Sequence, residues 1–210
     1  MKILKLPEVT LICLTGRDFQ AHKRAIDYSC KDIEFGGVKL IWDEKIKNID
    51  DWNHKVVFEL WKYVDTDFAL LIHHDGFVVN PKSWHDEWLG YDYIGAPWPI
   101  PSDDYSYRAI NGEVIRVGNS VSLRSRNLMS LPDLLGMKWG SFHGNTNEDG
   151  YICVNMRHLF LEEDIRFAPI EVAKWFSRET DIPENEDVDK PFCFHITDNK
   201  GRNKEFEHLL

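Results

Sequence analysis

The chain has 210 residues, 43% of them hydrophobic, and a formal net charge of −10 from 25 basic and 35 acidic side chains. A chain of this length buries about 70% of the surface its unfolded form exposes, so one domain around one sizeable core is expected. The acidic balance excludes a broad grip on nucleic acid or anionic lipid, which needs clustered Lys and Arg, but leaves room for one local diphosphate pocket.

The N-terminal stretch MKILKLPEVTLICLTG is interrupted by Lys5, Pro7 and Glu8. It is too short and too broken for a secretory core or a spanning helix, so a cytoplasmic protein is expected, peripheral to the inner membrane at most. Val9–Leu14 is an apolar run closed by Thr15-Gly16 and predicts a buried first strand. Phe19 to Tyr28 carries Ala21, Ala25, Ile26 and Tyr28 at helical spacing. Val38–Trp42, after Gly36-Gly37, predicts a second strand. Asp50 or Asp51 is placed to cap a helix whose apolar face is Val56, Val57, Leu60, Trp61 and Val64. Phe68–Ile72 is nearly unbroken apolar sequence, the mark of a strand covered on both faces. Strand, helix, strand, helix, strand is the order of half a doubly wound α/β domain.

The second half is less regular. Pro97, Pro99 and Pro101 with Ser102-Asp103-Asp104 predict a long polar loop. Ile115-Arg116-Val117, Gly118-Asn119 and Val121-Ser122-Leu123 predict a strand with a tight bend. Asn147–Gly150 precedes a helical stretch carrying Ile152, Val154, Met156, Leu159 and Phe160. Ile165–Ile170 and Phe192–Ile196 are expected as strands, and the acidic segment 181–189 as a flexible loop. The whole is one domain, with residues 1–90 as a nucleotide-binding half and 91–210 as an acceptor-binding half. Cys13, Cys30, Cys153 and Cys193 lie far apart with no C-x-x-C pair, and three of them sit in apolar runs, so reduced thiols are expected.

Four features carry chemistry. His73-His74-Asp75-Gly76-Phe77 directly follows the Phe68–Ile72 strand, and ligands of open α/β sheets bind beyond the carboxyl ends of strands. A carboxylate there suits a hard cation that grips a diphosphate; the alternative is a solvated strand-to-loop junction. Gly118-Asn119-Ser120 opens a stretch ending in Arg124 and Arg126, where a close backbone approach and guanidinium donors would suit phosphate; an ordinary turn is the alternative. Glu148-Asp149 places two carboxylates at a helix start, either as capping acids or as a general base. His195 lies in an apolar run, where a hydrogen-bonded core histidine competes with a metal ligand.

In this order the four pieces resemble the glycosyltransferases of the GT-A type, with their D-x-D metal motif, glycine-rich loop, x-E-D base motif and late metal-binding histidine. The strings Tyr93–Trp98, Gly118–Arg126 and Glu148-Asp149 also resemble a mostly bacterial family of glycosyltransferase-like domains of unknown function, over roughly residues 68–176. The resemblance implies a GT-A-like domain with a Rossmann-like mixed, mainly parallel sheet flanked by helices. It implies transfer of a sugar from a nucleotide-sugar to a hydroxyl of a glycan or glycolipid, with inversion, in polysaccharide biosynthesis.

Under that resemblance His73, Asp75 and His195 are the candidate ligands of Mn²⁺ or Mg²⁺, with His73 standing where the general pattern has its first Asp. Thr15, Gly16, Arg17, His74, Gly118, Asn119, Ser120 and Arg124 are candidates for the donor side. Asp149 is the candidate base with Glu148 as fallback. Trp98, Trp139, Phe142 and His143 are candidates for an acceptor platform, since aromatic faces stack on sugar rings; loop aromatics that cover the core are the alternative. A metal-dependent hydrolase built on the histidines, and a non-catalytic sugar- or nucleotide-binding protein of the same fold, are the competing readings.

Overall fold

The computed structural model describes residues 3–140, 147–197 and 200–210. The first half follows the expected alternation: β1 (Leu4–Thr15), α1 (Phe19–Ser29), β2 (Ile33–Trp42), α2 (Ile49–Glu59) and β3 (Phe68–Leu71). The helix cap is Asn48 rather than Asp50 or Asp51. Its side chain accepts a hydrogen bond from the Asp51 N–H at 2.9 Å, while the two acids occupy the first turn and meet the helix dipole. Gly36-Gly37 lies inside β2, opposite a register shift in β1, because a Cβ on Gly36 would come within 2.0 Å of the Pro7 carbonyl oxygen.

The second half supplies β4 (Tyr93–Pro97), β5 (Val117–Ser125) and α3 (Arg126–Leu134). The expected helix over 147–160 is broken into α4 (Glu148–Gly150), a wide π turn over Tyr151–Asn155, and α5 (Arg157–Glu162). The strand expected at Ile165–Ile170 does not form. Only Phe167 bridges to Tyr93, and α6 (Ile170–Phe176) begins where that strand would have ended. A small parallel pair, β6 (Ser177–Arg178) and β7 (Cys193–Phe194), replaces the longer strand expected over Phe192–Ile196. The acidic segment 181–189 carries a turn at Pro183–Asn185, with Asn185 and Val188 buried.

The main sheet has the order β2-β1-β3-β5-β4. β1 pairs in parallel with β2 and β3, and β5 runs antiparallel to both β3 and β4, so four strands share one direction. Alternate residues of the central strands feed two cores, as the two-residue strand period requires. Leu11 and Cys13 with Leu70 and Ile72 face the layer of α1 and α6, whereas Ile12 and Leu14 with Ala69 and Leu71 face α2 and α3. Burial on both faces explains the unbroken apolar runs in β1 and β3. The shared strand direction brings the ends of β1, β2 and β3 to one edge of the sheet, where the antiparallel β5 begins. No helix among the described residues is long and apolar enough to cross a membrane.

β4 and β5 approach so closely that two glycines are obligatory. A Cβ on Gly95 would lie 1.7 Å from the Gly118 carbonyl oxygen, and one on Gly118 would lie 1.9 Å from the Trp98 ring. Gly118→Ala is therefore expected to destabilise the fold by about 1–3 kcal/mol or more through overpacking, read as a lower urea midpoint. An unchanged midpoint would mean that the indole moves freely.

Candidate active site

The turn after β3 is the centre of the site. The His73 N–H donates to the Gly76 carbonyl at 2.8 Å, closing the chain on itself. A Cβ on Gly76 would lie 2.6 Å from Val121 Cγ2 and 2.8 Å from His195 Cδ2, so the glycine lets β5 and His195 press against the turn. The backbone delivers His195 here. The Phe194 N–H donates to Phe77 O (3.2 Å), the Ile196 N–H to Asp75 O (2.8 Å) and the His195 N–H to Arg178 O (2.9 Å).

The His195 ring is a meeting point. Nε2 lies 3.8 Å from Asp75 Oδ1, and Nδ1 lies 3.5 Å from Glu179 Oε1 and 3.1 Å from Asn119 Nδ2. The Asn119 amide is oriented by its own oxygen, which accepts the Val121 N–H at 2.7 Å. Glu179 favours a proton on Nδ1 and the amide favours a lone pair there. Burial pulls the imidazole pKa down, but Glu179, Asp75 and Asp149 outweigh it and hold it above the ordinary histidine value.

Asn119 joins this imidazole to the candidate base. Its φ of 95° is a left-handed conformation that asparagine tolerates better than most residues, and the buried Tyr93 hydroxyl holds it by donating to Asn119 O at 2.5 Å. In that conformation the Asn119 N–H donates to Asp149 Oδ2 at 3.1 Å, while Asp149 Oδ1 accepts the Gly150 N–H at 2.7 Å. Burial, then Glu148 and Glu179, push the Asp149 carboxyl up to about 7. Asp75, His195, Asn119 and Asp149 thus form one connected line at the sheet edge.

Other expected site residues have different places. Arg124, expected at the donor phosphate, is fully buried in an ion pair with Glu148 (2.8 Å), and both side chains are 1% exposed. Its guanidinium cannot reach a ligand from there. Glu148, the expected fallback base, is committed to Arg124 and to the Ser120 hydroxyl (3.1 Å), which takes Ser120 out of the donor pocket as well. Trp98 is buried, stacked on Tyr107 (centroids 4.7 Å, 21°) and packed over Gly118, so neither Trp98 nor Gly118 offers a ligand surface. Trp139 is half-buried against Tyr151, with its indole N–H donating to Asp50 at the start of α2 (2.9 Å). Phe142 and His143 lie outside the described residues.

On the donor side, the Thr15 hydroxyl is buried and turned into its own loop, donating to Arg17 O (2.5 Å) and accepting the Arg17 N–H (3.1 Å). A Cβ on Gly16 would lie 2.2 Å from Ile46 O, so that glycine serves the packing of the loop, and Arg17 is exposed. The half-exposed His74 stands beside Asp75 (Nδ1–Oδ1 3.5 Å) and against His22 of α1 (centroids 4.8 Å). His73 is sandwiched between Trp52 (4.8 Å) and His195 (5.6 Å, 24°). Burial, with His195 and other cationic neighbours, holds its pKa well below the ordinary histidine value. Stacked imidazoles do not aim their in-plane lone pairs at one point, so His73 and His195 do not form a joint ligand pair. Among the described residues, no three His, Cys, Asp or Glu side chains are grouped to hold a metal.

Two contributors were invisible in the sequence. Glu179 sits in Ser177-Arg178-Glu179-Thr180, a string without a motif. The β6–β7 register pairs Arg178 with Phe194 and so sets Glu179 alongside His195. Tyr93 stands in the sequence only within the string Tyr93–Trp98, yet its hydroxyl holds the strained residue of the site.

Known proteins share the fold. The chain shares its fold with a glycosyltransferase involved in the glycosylation of the major capsid of PBCV-1, with a TM-score of 0.56 over 96% of this chain and 98% of that one, at 12% identity. A second solved structure, A197 from STIV, aligns with a TM-score of 0.38 over 76% of this chain and 80% of that one, at 13% identity. Residues 38–195 match the family DUF5672, a protein family of unknown function, and the chain belongs to that family. No curated protein matches.

Proposed function

We propose that this protein is a glycosyltransferase of the GT-A type, moving a sugar from a nucleotide-sugar to a hydroxyl of a glycan or glycolipid acceptor. One observation carries the reading. Asp149, a carboxylate held near a pKa of about 7, is linked through Asn119 to His195 and Asp75 at the sheet edge where α/β folds bind ligands. The likeness of fold to a glycosyltransferase supports it.

Asp149 accepts the proton of the acceptor hydroxyl as that oxygen attacks the anomeric carbon in line, with inversion. A base pKa near the working pH combines a large ionised fraction with real basicity. Asn119 presents its N–H to Asp149 and its amide to His195, holding base and imidazole in fixed relation. Asp75 and His195, with Oδ1 and Nε2 3.8 Å apart, are the residues that would hold one divalent cation. Mn²⁺ or Mg²⁺ suits two protein ligands, because such ions take the rest of their shell from substrate phosphates and water. Held there, the ion would supply positive charge beside the diphosphate leaving group. His74, half-exposed beside Asp75, faces the donor. The unpaired thiols Cys13, Cys30, Cys153 and Cys193 suit a reducing cytoplasm.

The test is a thermal-shift panel of UDP-, GDP-, CDP- and TDP-sugars with and without Mn²⁺. A ligand at 100 times its Kd stabilises the native state by about 2.7 kcal/mol, a shift of several degrees. One nucleotide family should raise the midpoint, more so with Mn²⁺, and Asp75→Asn should remove the metal-dependent increment. A panel in which no nucleotide-sugar shifts the midpoint under either condition rules the reading out.

A further inference from the structure

A cavity of about 490 Å³ lies beside β7, lined by Asn80, Arg178, Asp189, Lys190, Glu205 and Phe206 among others. Its size falls within the range of roughly 300–1,000 Å³ typical of small-ligand sites. One wall is the C-terminal turn Gly201–Leu209, which lies beyond the span matched by the family. The turn is fixed to the site already described. Asn203 is buried and donates from Nδ2 to the carbonyls of Arg178 (2.9 Å), Glu179 (3.3 Å) and His195 (3.0 Å). Phe206 packs on Phe194 (4.8 Å), the neighbour of His195 in the chain.

We propose that this cavity is a carbohydrate-binding subsite that takes a neutral sugar unit. The bonding groups left over in its wall decide the ligand class. Arg178 is spent: it is buried, ion-paired with Glu205, and bonded through Nε to Asn203 Oδ1 (2.9 Å). Arg202 is spent on Asp181 (2.7 Å) and on Asn185. Asn80 uses Nδ2 on Pro191 O (2.7 Å) and keeps its carbonyl oxygen. Glu205 keeps one carboxylate oxygen, and the exposed Asp189 and Lys190 side chains are engaged by no other described residue.

The free inventory is therefore acceptor-rich, with an amide oxygen, the Asp189 carboxylate and one oxygen of Glu205 against a single ammonium. An inorganic or organic phosphate carries acceptors only and would meet them head-on. Sugar hydroxyls both donate and accept, and Phe206 offers an apolar surface for the ring C–H groups. The unpaired charges, Asp189 and Lys190, cancel, which favours an uncharged sugar.

As a holding site for the part of the acceptor beyond its reacting hydroxyl, the subsite rests on the transferase reading. Its binding of sugar does not. Saturation-transfer NMR on the full chain with glucose, galactose, mannose, N-acetylglucosamine and their methyl glycosides tests it, with inorganic phosphate as competitor. The variants are Asp189→Ala/Lys190→Ala, both on the exposed rim where substitutions leave the fold intact, and Asp149→Asn as the control. At least one sugar should bind the wild type and the control alike, weaken at least tenfold in the rim variant, and resist phosphate. No binding by any sugar, equal binding by the rim variant, or displacement by phosphate overturns the proposal. Rim-dependent sugar binding by a chain whose midpoint no nucleotide-sugar shifts would sink the transferase reading and leave the subsite standing.

Discussion

Asp149→Asn is expected to lower turnover by about 10²–10⁴-fold, the usual contribution of a positioned general base, while making the protein more stable at alkaline pH. The second effect follows from the carboxyl pKa, 3.8 in an ordinary environment and about 7 in the folded chain. Between those values the native state binds more protons than the unfolded state. The contribution to stability is therefore fully present below about pH 4 and is lost as pH rises through about 7. Above pH 7 the half-buried carboxylate is retained at a cost on the order of 2–4 kcal/mol: each pKa unit is worth about 1.4 kcal/mol, and solvent screening of the half-exposed group lowers the full product of about 4.5 kcal/mol. Asparagine keeps an oxygen for the Asn119 N–H and carries no charge, so the variant should melt about 5 °C or more above the wild type at pH 8 and close to it at pH 5. Wild-type turnover should rise with pH toward a plateau above about 7, as the base ionises. Turnover near wild type in the variant, or the same melting shift at both pH values, contradicts the assignment.

A base that destabilises its own fold has to be held in place by something else, and that support was the least legible part of the sequence. The apolar runs of β1 and β3 announced the sheet because both faces of those strands are buried, and helical spacing announced α1 and α2. β4 hid in a string containing Gly95 and Pro97, and residues 165–170 read as a strand although only Phe167 pairs, with Ile165 and Ala168 buried beside it. At the site, the order of the motifs named Asp75, His195 and Asp149 as candidates. The direction in which β5 turns its side chains was not legible there. Ser120, Ser122 and Arg124 recur every second residue and share one face, where Arg124 Nε donates to Ser122 Oγ (2.8 Å) and the Ser120 hydroxyl to Glu148 (3.1 Å). Val121 and Leu123 belong to the opposite core. A motif string names the residues that supply chemistry, but strand alternation decides which of them meet ligand and which meet another helix. Here it turned Arg124 inward, toward the helix that carries the base.

That inward turn predicts the largest effect on stability. Arg124→Met leaves the Glu148 carboxylate, itself 1% exposed, without a counter-charge, and breaking a buried pair from one side costs about 3–5 kcal/mol. Total stabilities of about 5–15 kcal/mol make this a severe loss, read as a large drop in urea midpoint at an unchanged slope. Glu148→Met in the same chain removes the stranded charge together with its partner, so the double variant should recover much of the loss and yield a coupling energy in a double-mutant cycle. The pair also acts on chemistry. Arg124 lowers the Asp149 pKa, so its removal should carry the rise of turnover with pH to a more alkaline range wherever the variant remains folded. Because Glu148 begins α4 and its own N–H is held by Asn53 Oδ1 (3.3 Å), the ion pair fixes where Asp149 meets the Asn119 N–H. If Arg124→Met loses less than about 1 kcal/mol, or the double variant is no more stable than the single, the ion pair is not what anchors the base. The contact between α4 and Asn53 would then have to carry that role.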